Sequence, residues 1–183
     1  MSVHRDLPVS SYDAWMRGRE AAIGSVVFLV VEPGLMGGVV PWLLTSWRSS
    51  RPPLVMGVLG VVFLALGIGA LLDTVLRFVR EGRGTPAPVA PTDCLVVGGP
   101  YRYVRNPMYL AVIAAILGQA LLLGSVALLV YAAAFWVVVA SFVRFYEEPT
   151  LSERYGEQYA AYRQAVRAWW PRLRPWSPPP GSG

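Results

Sequence analysis

The chain has 183 residues, of which 55% are hydrophobic and only 15% charged, and its mean hydropathy is +0.46. A soluble domain carries nearer a quarter charged residues, and its core needs no long apolar blocks like those found here, so composition points to a membrane protein. The net charge is +5 and all sixteen basic residues are arginines. They flank the apolar blocks instead of forming one basic stripe, which favours anionic lipid headgroups as their partner over nucleic acid. An arginine-only basic set with abundant Ala, Val and Gly suggests a GC-rich, bacterial genome.

Residues 1–20 are polar and read as an interfacial segment anchored by Tyr12 and Trp15, with Asp6, Asp13 and Glu20 arguing against a cleavable signal peptide. Residues 21–145 read as the transmembrane region. Its first apolar block, Ala21 to Trp47, is interrupted by Glu32-Pro33-Gly34 and by Pro41, so a kinked or partly unwound span is expected. The second block, Leu54 to Val79, is clean until Asp73 and Arg77, spaced i, i+4 in the favourable order. A loop over 80–106, rich in Gly and Pro, cannot be regular helix. It holds the single cysteine, Cys94, which can form neither an internal disulfide nor a metal cluster.

Apolar sequence resumes at Pro107 and runs to Phe145, broken only near Gly124-Ser125. Such a stretch would be roughly 58 Å long as one helix, almost twice the hydrocarbon thickness, so it reads as a hairpin of two short spans. Residues 146–175 follow as a C-terminal segment, and 176–183 as a disordered tail, all within one domain. The expected fold is therefore all-α: about four transmembrane helices, the third and fourth a hairpin, plus a C-terminal amphipathic helix. Arginine placement puts both termini and the 80–106 loop in the cytoplasm, since the opposite side receives only Arg48 and Arg51.

Two clusters could carry chemistry. In the first, Gly98 to Tyr109, Asn106 reads as an N-cap and Pro107 as the first residue of the third span. A helix N-terminus with Arg102 and Arg105 beside it suits a carboxylate or phosphate, although a plain capped helix with interfacial anchors fits equally well. The second cluster holds Glu147-Glu148-Pro149. Adjacent carboxylates at the end of a span need a cationic partner. Pro149 is expected to force Glu148 out of helical geometry, with Thr150 and Glu153 forming the capping box of a new helix from Leu151 to Trp170. Leu151, Tyr155, Tyr159, Tyr162, Val166 and Trp169 or Trp170 would share one face of it, resting on the membrane surface.

Together, "GPYRYVRNPMY" and "EEPTLSERYGEQYAAYRQAVRAWWPR" resemble the membrane methyltransferases related to isoprenylcysteine carboxyl methyltransferase and the phospholipid N-methyltransferases. The resemblance runs from about Gly98 to Arg172. It implies a cytoplasm-facing pocket for S-adenosylmethionine. Arg105, Pro107 and Tyr109 fit the first family motif, with Gly99, Pro100 and Tyr101 leading into it. Glu147 and Glu148 fit the second, and Tyr155, Tyr159 and Arg167 fall on the C-terminal pattern. Arg105, Asn106 and Arg167 are the residues on which it would place catalysis; Asn106 stands where many members have His. Methyl transfer from a sulfonium is an in-line displacement served by positioning, and it requires no metal. The acceptor would be lipophilic: a prenylcysteine-like carboxylate, a phospholipid amine or a hydrophobic small molecule. A non-enzymatic scaffold or transporter subunit, with Glu32 and Asp73 marking a polar path, is the competing reading. Neither reading specifies an oligomeric state.

Overall fold

The computed structural model describes residues 31–81, 95 and 97–177, and among these all regular structure is helical, with no strand. The N-terminal segment 1–30, the loop residues 82–94 and 96, and the end of the tail, 178–183, lie outside the described residues, as does the Arg77 side chain of the expected Asp73 pair.

The first helix, α1, covers 31–45, with a π-helical segment Leu35–Val39 leading into Val40–Thr45. The cause is Pro41, which has no N–H to offer the Gly37 carbonyl four residues earlier and whose ring would press on that carbonyl. The widened turn relieves the crowding. Gln119 then donates from Nε2 to Gly37 O at 2.6 Å, and the Tyr131 hydroxyl donates to Met36 O at 3.0 Å. In an apolar medium such carbonyls find partners inside the protein.

Helix α2 spans Leu54–Glu81 and α3 spans Pro107–Leu123; these two make the most extensive contact in the molecule. Their backbones nearly touch. A Cβ placed on Gly118 would stand 2.6 Å from the Leu64 nitrogen, and one on Gly67 would stand 2.7 Å from Ala111 O. Lipid tails are as apolar as leucine, so helices in a bilayer are joined by close packing of this kind. Most of α2 faces outward, with Leu54, Val55, Leu66 and Leu72 exposed, a surface suited to hydrocarbon.

Gly124, in the left-handed region at φ +63°, ends α3, and the Ser125 hydroxyl caps α4, Val126–Phe142, by accepting from the Leu128 N–H. The expected hairpin is therefore present. Its turn is tied to the α1–α2 connection, where Ser50 Oγ donates to Leu123 O at 3.0 Å. Arg48 and Arg51 thus lie at the same end as Gly124. Between the helices, Val112, Ile116, Ala132, Phe135 and Val139 form the core.

α4 continues through a second π-helical turn, Val143–Glu147, into α5, Glu148–Ala165. This corrects the expected break at Pro149. Glu148 keeps helical dihedrals (φ −61°, ψ −43°), and the Thr150 hydroxyl donates back to Tyr146 O at 2.7 Å instead of capping a new helix. As in α1, the π turn ends two residues before a proline and loosens the carbonyls its ring would strike. The interruption falls later, at Gly156 (φ +47°, ψ −121°), and α5 ends at Ala165, so Trp169 and Trp170 lie beyond it. The face predicted from spacing is real as far as Val166, without Trp169 or Trp170, and it is turned inward instead of onto a membrane surface: Tyr159, Tyr162 and Val166 are buried, with Leu151 and Tyr155 against them. They pack on Leu95, Val97 and Trp176 of the protein itself.

Among the described residues two helices are long and apolar enough to cross a membrane, α2 over Leu54–Thr74 and the rod Val126–Ala165; α3 is apolar but has 17 residues.

Close packing at Gly118 predicts that Gly118→Leu lowers stability by about 1–3 kcal/mol through overpacking. Gly57→Leu, where a new side chain meets nothing within 4 Å, should leave it nearly unchanged. Thermal unfolding of the purified chain in detergent checks the pair, and equal effects would contradict the packing argument.

Candidate functional site

At one end of the bundle the entry to α3 meets the segment after α5. Asn106 occupies the N-cap position of α3, followed by Pro107 at the first helical turn, as the sequence leads one to expect. Its side chain, however, caps nothing. Asn106 Nδ2 donates to Ala168 O at 3.1 Å, which leaves the first amides of α3 without a side-chain partner. Main-chain bonds extend the same seam: Arg105 N–H to Arg167 O at 3.0 Å, Arg172 N–H to Tyr103 O at 2.9 Å, and Trp176 N–H to Arg102 O at 2.9 Å. Arg102 adds a bond from Nε to Trp176 O and one to the Ser177 hydroxyl, both at 2.6 Å.

Behind the seam lies an ion-pair cluster. The Glu148 carboxylate is buried (6% exposed) and takes Arg105 Nη1 at 2.9 Å, Arg163 at 3.3 Å and Arg144 at 3.7 Å. Arg105 also donates from Nη1 to the Tyr159 hydroxyl at 3.0 Å. The three arginines are not equivalent. The Arg105 side chain is 12% exposed, against 44% for Arg163 and 65% for Arg144, so only the Arg105 contact is shielded from water and strong for that reason.

Glu147 stands beside this cluster, close enough to the Tyr109 hydroxyl for burial and its carboxylate together to hold that hydroxyl above the ordinary tyrosine range. Tyr109 in turn leans on Trp169, which meets Trp136 edge-on, so an aromatic wall adjoins the carboxylates. Burial, reinforced by the nearby Glu147 carboxylate, pushes the Tyr101 hydroxyl well above the ordinary tyrosine range, so it stays protonated. The Tyr101 carbonyl accepts from the Tyr162 hydroxyl at 2.7 Å. Two guanidinium nitrogens, Arg105 Nε and Arg172 Nη1, are buried with no hydrogen-bond partner.

The residues singled out from the sequence thus fall into groups. Arg105, Tyr109, Glu147, Glu148 and Tyr159 come together around the ion pair. Gly99, Pro100 and Pro107 line an open groove on the other side of the same segment, facing α2. Tyr155 packs against the buried aromatic cluster, with the Arg154 guanidinium 5.8 Å from its ring centre. Arg167 is exposed and serves through its main-chain carbonyl. Sequence reasoning missed Arg144 and Arg163, although Arg144 sits i, i+4 from Glu148. It also missed Ala168 and Trp176, whose contributions come largely through seam contacts that leave no spacing pattern.

The geometry sets two expectations for stability. Glu148→Gln should cost about 3 kcal/mol, because it leaves Arg105 buried without its counter-charge. Arg144→Ala, which removes an exposed contact, should cost below about 1 kcal/mol. Unfolding measurements on both variants test this ranking, and a reversed order would refute it.

No curated protein and no solved structure matches the chain significantly. The family model described as phospholipid methyltransferase matches residues 55–158, taking in nearly all of α2, the Gly99–Pro107 segment, the α3–α4 hairpin, Glu147 and Glu148. That is more than half of the chain. The ion pair and the loop opposite it lie inside the match, so the chain belongs to the phospholipid methyltransferase family of membrane methyltransferases, within the superfamily that includes isoprenylcysteine carboxyl methyltransferase.

Proposed function

We propose that this protein transfers a methyl group from S-adenosylmethionine to a lipophilic acceptor at the cytoplasmic rim of a bacterial inner membrane. The observation that carries the reading is the buried Arg105–Glu148 pair, set at the uncapped N-terminus of α3 beside the Glu147 carboxylate. This donor set fits the cofactor's amino-acid end. The unpartnered Arg105 Nε and the free amides of α3 suit a carboxylate, and Glu147 suits an ammonium. The aromatic wall of Tyr109, Trp169 and Trp136 suits a sulfonium through its ring faces.

When bound, the cofactor supplies an electrophilic methyl carbon. The protein's share is positional. Glu148 holds Arg105 in one orientation, Tyr109 stands beside the Glu147 carboxylate, and Asn106 ties the loop to Ala168 so that both walls keep their spacing. The exposed Arg167 remains a candidate for contact with a substrate head at the rim. The acceptor classes in view are a prenylcysteine-like carboxylate, a phospholipid amine and a hydrophobic small molecule.

Four spans with both termini and the 80–106 loop cytoplasmic accord with the arginine distribution. Arg48 and Arg51 lie at the Gly124 end, while Arg102, Arg105, Arg144, Arg163, Arg167, Arg172 and Arg174 occupy the other end and the segments after it. Against the scaffold or transporter reading, α2 and α3 pack backbone to backbone at Gly60 and Gly118, which closes that level of the helix pair to a polar path.

Isothermal calorimetry in detergent tests the cofactor. The parent chain should bind S-adenosylmethionine, and Arg105→Ala and Glu148→Gln should each weaken it at least about tenfold, the loss of one charge-assisted bond. Absence of heat from the parent sinks the reading. Transfer of a labelled methyl into a total lipid extract then addresses the acceptor.

A further inference from the structure

The inward-turned face of α5 leaves the membrane contact expected of it to the segment that follows. Residues 166–177 run without regular structure along the loop before α3 and are laced to it at four places. Arg167 O takes the Arg105 N–H and Ala168 O takes the Asn106 side chain, while the Arg172 and Trp176 amides donate to Tyr103 O and Arg102 O. This strap has an inner and an outer side. Val166 and Trp176 belong to the aromatic cluster of α5, and Trp169 packs on the core between the helices. Trp170 and Leu173 point the other way and are exposed, Leu173 fully so, with Arg167 and Arg174 exposed beside them.

Depth and charge say what meets the outer side. The Trp169 ring stands 6.3 Å from that of Trp136, a half-exposed residue of α4. Trp136 lies about 9 Å inside the end of that helix at Phe142. The strap therefore dips to the level of the span ends, and Trp170 and Leu173 emerge beside lipid. A tryptophan with an apolar neighbour and flanking arginines suits the layer between hydrocarbon and headgroups. From Val166 to Ser177 there are three arginines and no acidic residue. Neither Arg167 nor Arg174 is paired with a carboxylate among the described residues. An uncompensated cationic edge behind an apolar wedge complements an anionic lipid surface, with a gain in partitioning of about fivefold per arginine.

We propose that residues 166–177 form a membrane-sensing strap: Trp170 and Leu173 insert into the interface of a bilayer that carries anionic lipid, Arg174 rests on its headgroup phosphates, and this hold keeps the strap laced to the loop. The effect reaches the site through the lacing. The Arg105 amide and the Asn106 side chain are fastened to the strap, and Arg105 is the shielded partner of Glu148. Lipid that binds the laced strap better than a detached one shifts the equilibrium toward the ordered site. Anionic lipid acts here as a regulator of the site, a role separate from that of methyl acceptor. The surface contact stands on the strap alone; only the effect on the cofactor rests on the methyltransferase reading.

The full chain in nanodiscs tests it, with discs of phosphatidylcholine alone or of phosphatidylcholine mixed with phosphatidylglycerol. Amide hydrogen exchange over residues 166–177 should be slower in the anionic discs by at least about fivefold, the effect of one arginine at a charged surface. Arg174→Gln combined with Leu173→Ser should abolish the difference, as should molar salt. Trp170→Ser provides a second version should the pair fail to fold. Calorimetry in the same discs should show S-adenosylmethionine bound more tightly in the anionic ones by a similar factor, a gain lost in the variants. Equal exchange in both discs, or slowing that inorganic phosphate reproduces in phosphatidylcholine discs, overturns the surface contact. Slowed exchange with the same cofactor affinity in both discs overturns the coupling to the site. Slowed exchange with no cofactor heat in either disc supports the surface contact and overturns the methyltransferase reading.

Discussion

A carboxylate buried at the end of an apolar helix is the constraint around which this molecule is arranged. Taking Glu148 out of water costs several kcal/mol unless cations with good geometry come with it. Arg144 and Arg163 reach it from its own helical rod but remain wet. The one shielded partner, Arg105, comes from a loop about forty residues earlier in the sequence. That loop must therefore lie against the start of α5. Once Arg105 is there, its amide meets Arg167 O and its neighbour Asn106 meets Ala168 O, and the C-terminal segment is drawn along the loop as far as Trp176. The ion pair and the seam depend on each other: without the seam Arg105 would pay the entropy of a free loop to reach Glu148.

Much of the architecture was legible because hydrocarbon permits so few solutions. Long apolar blocks had to be helices, Gly124-Ser125 had to be a turn, and Asn106-Pro107 marked the start of α3. The five-residue face from Leu151 to Val166 was likewise written in its spacing. The seam was not legible, since a main-chain bond such as Arg172 N–H to Tyr103 O carries no residue signature. Asn106 misled for a related reason. An N-cap asparagine normally serves its own helix, and only the approach of Ala168 gives its amide another use.

Proline acts in one way at two places, and at the second of them it was misread. A proline disfavours helical geometry in the residue before it, which argued for a break at Glu148. The chain avoids the break by opening the preceding turn. Both π segments, Leu35–Val39 and Val143–Glu147, end two residues before a proline, at Pro41 and Pro149. Each inserts an extra residue, which turns the downstream face by about 100°. In α1 the result is a free carbonyl for Gln119, which fastens α1 to α3. In the α4–α5 rod it sets the face on which Glu148 meets Arg105. Two local irregularities thus position the parts that local rules could not connect.

The end of the bundle suits these groups, because deeper among the helices the exposed portions of Arg144 and Arg163 would lack water. A single stretch of backbone, Gly99 to Pro107, reaches both the ion pair and the groove beside α2. Extended or tightly turned backbone sends successive side chains to different sides, whereas a helix would have wrapped Arg105 and Val104 around one axis. This is why so much glycine and proline precedes α3. Irregular structure in this position is the means by which one short segment meets an ion-pair cluster on one side and an apolar groove on the other.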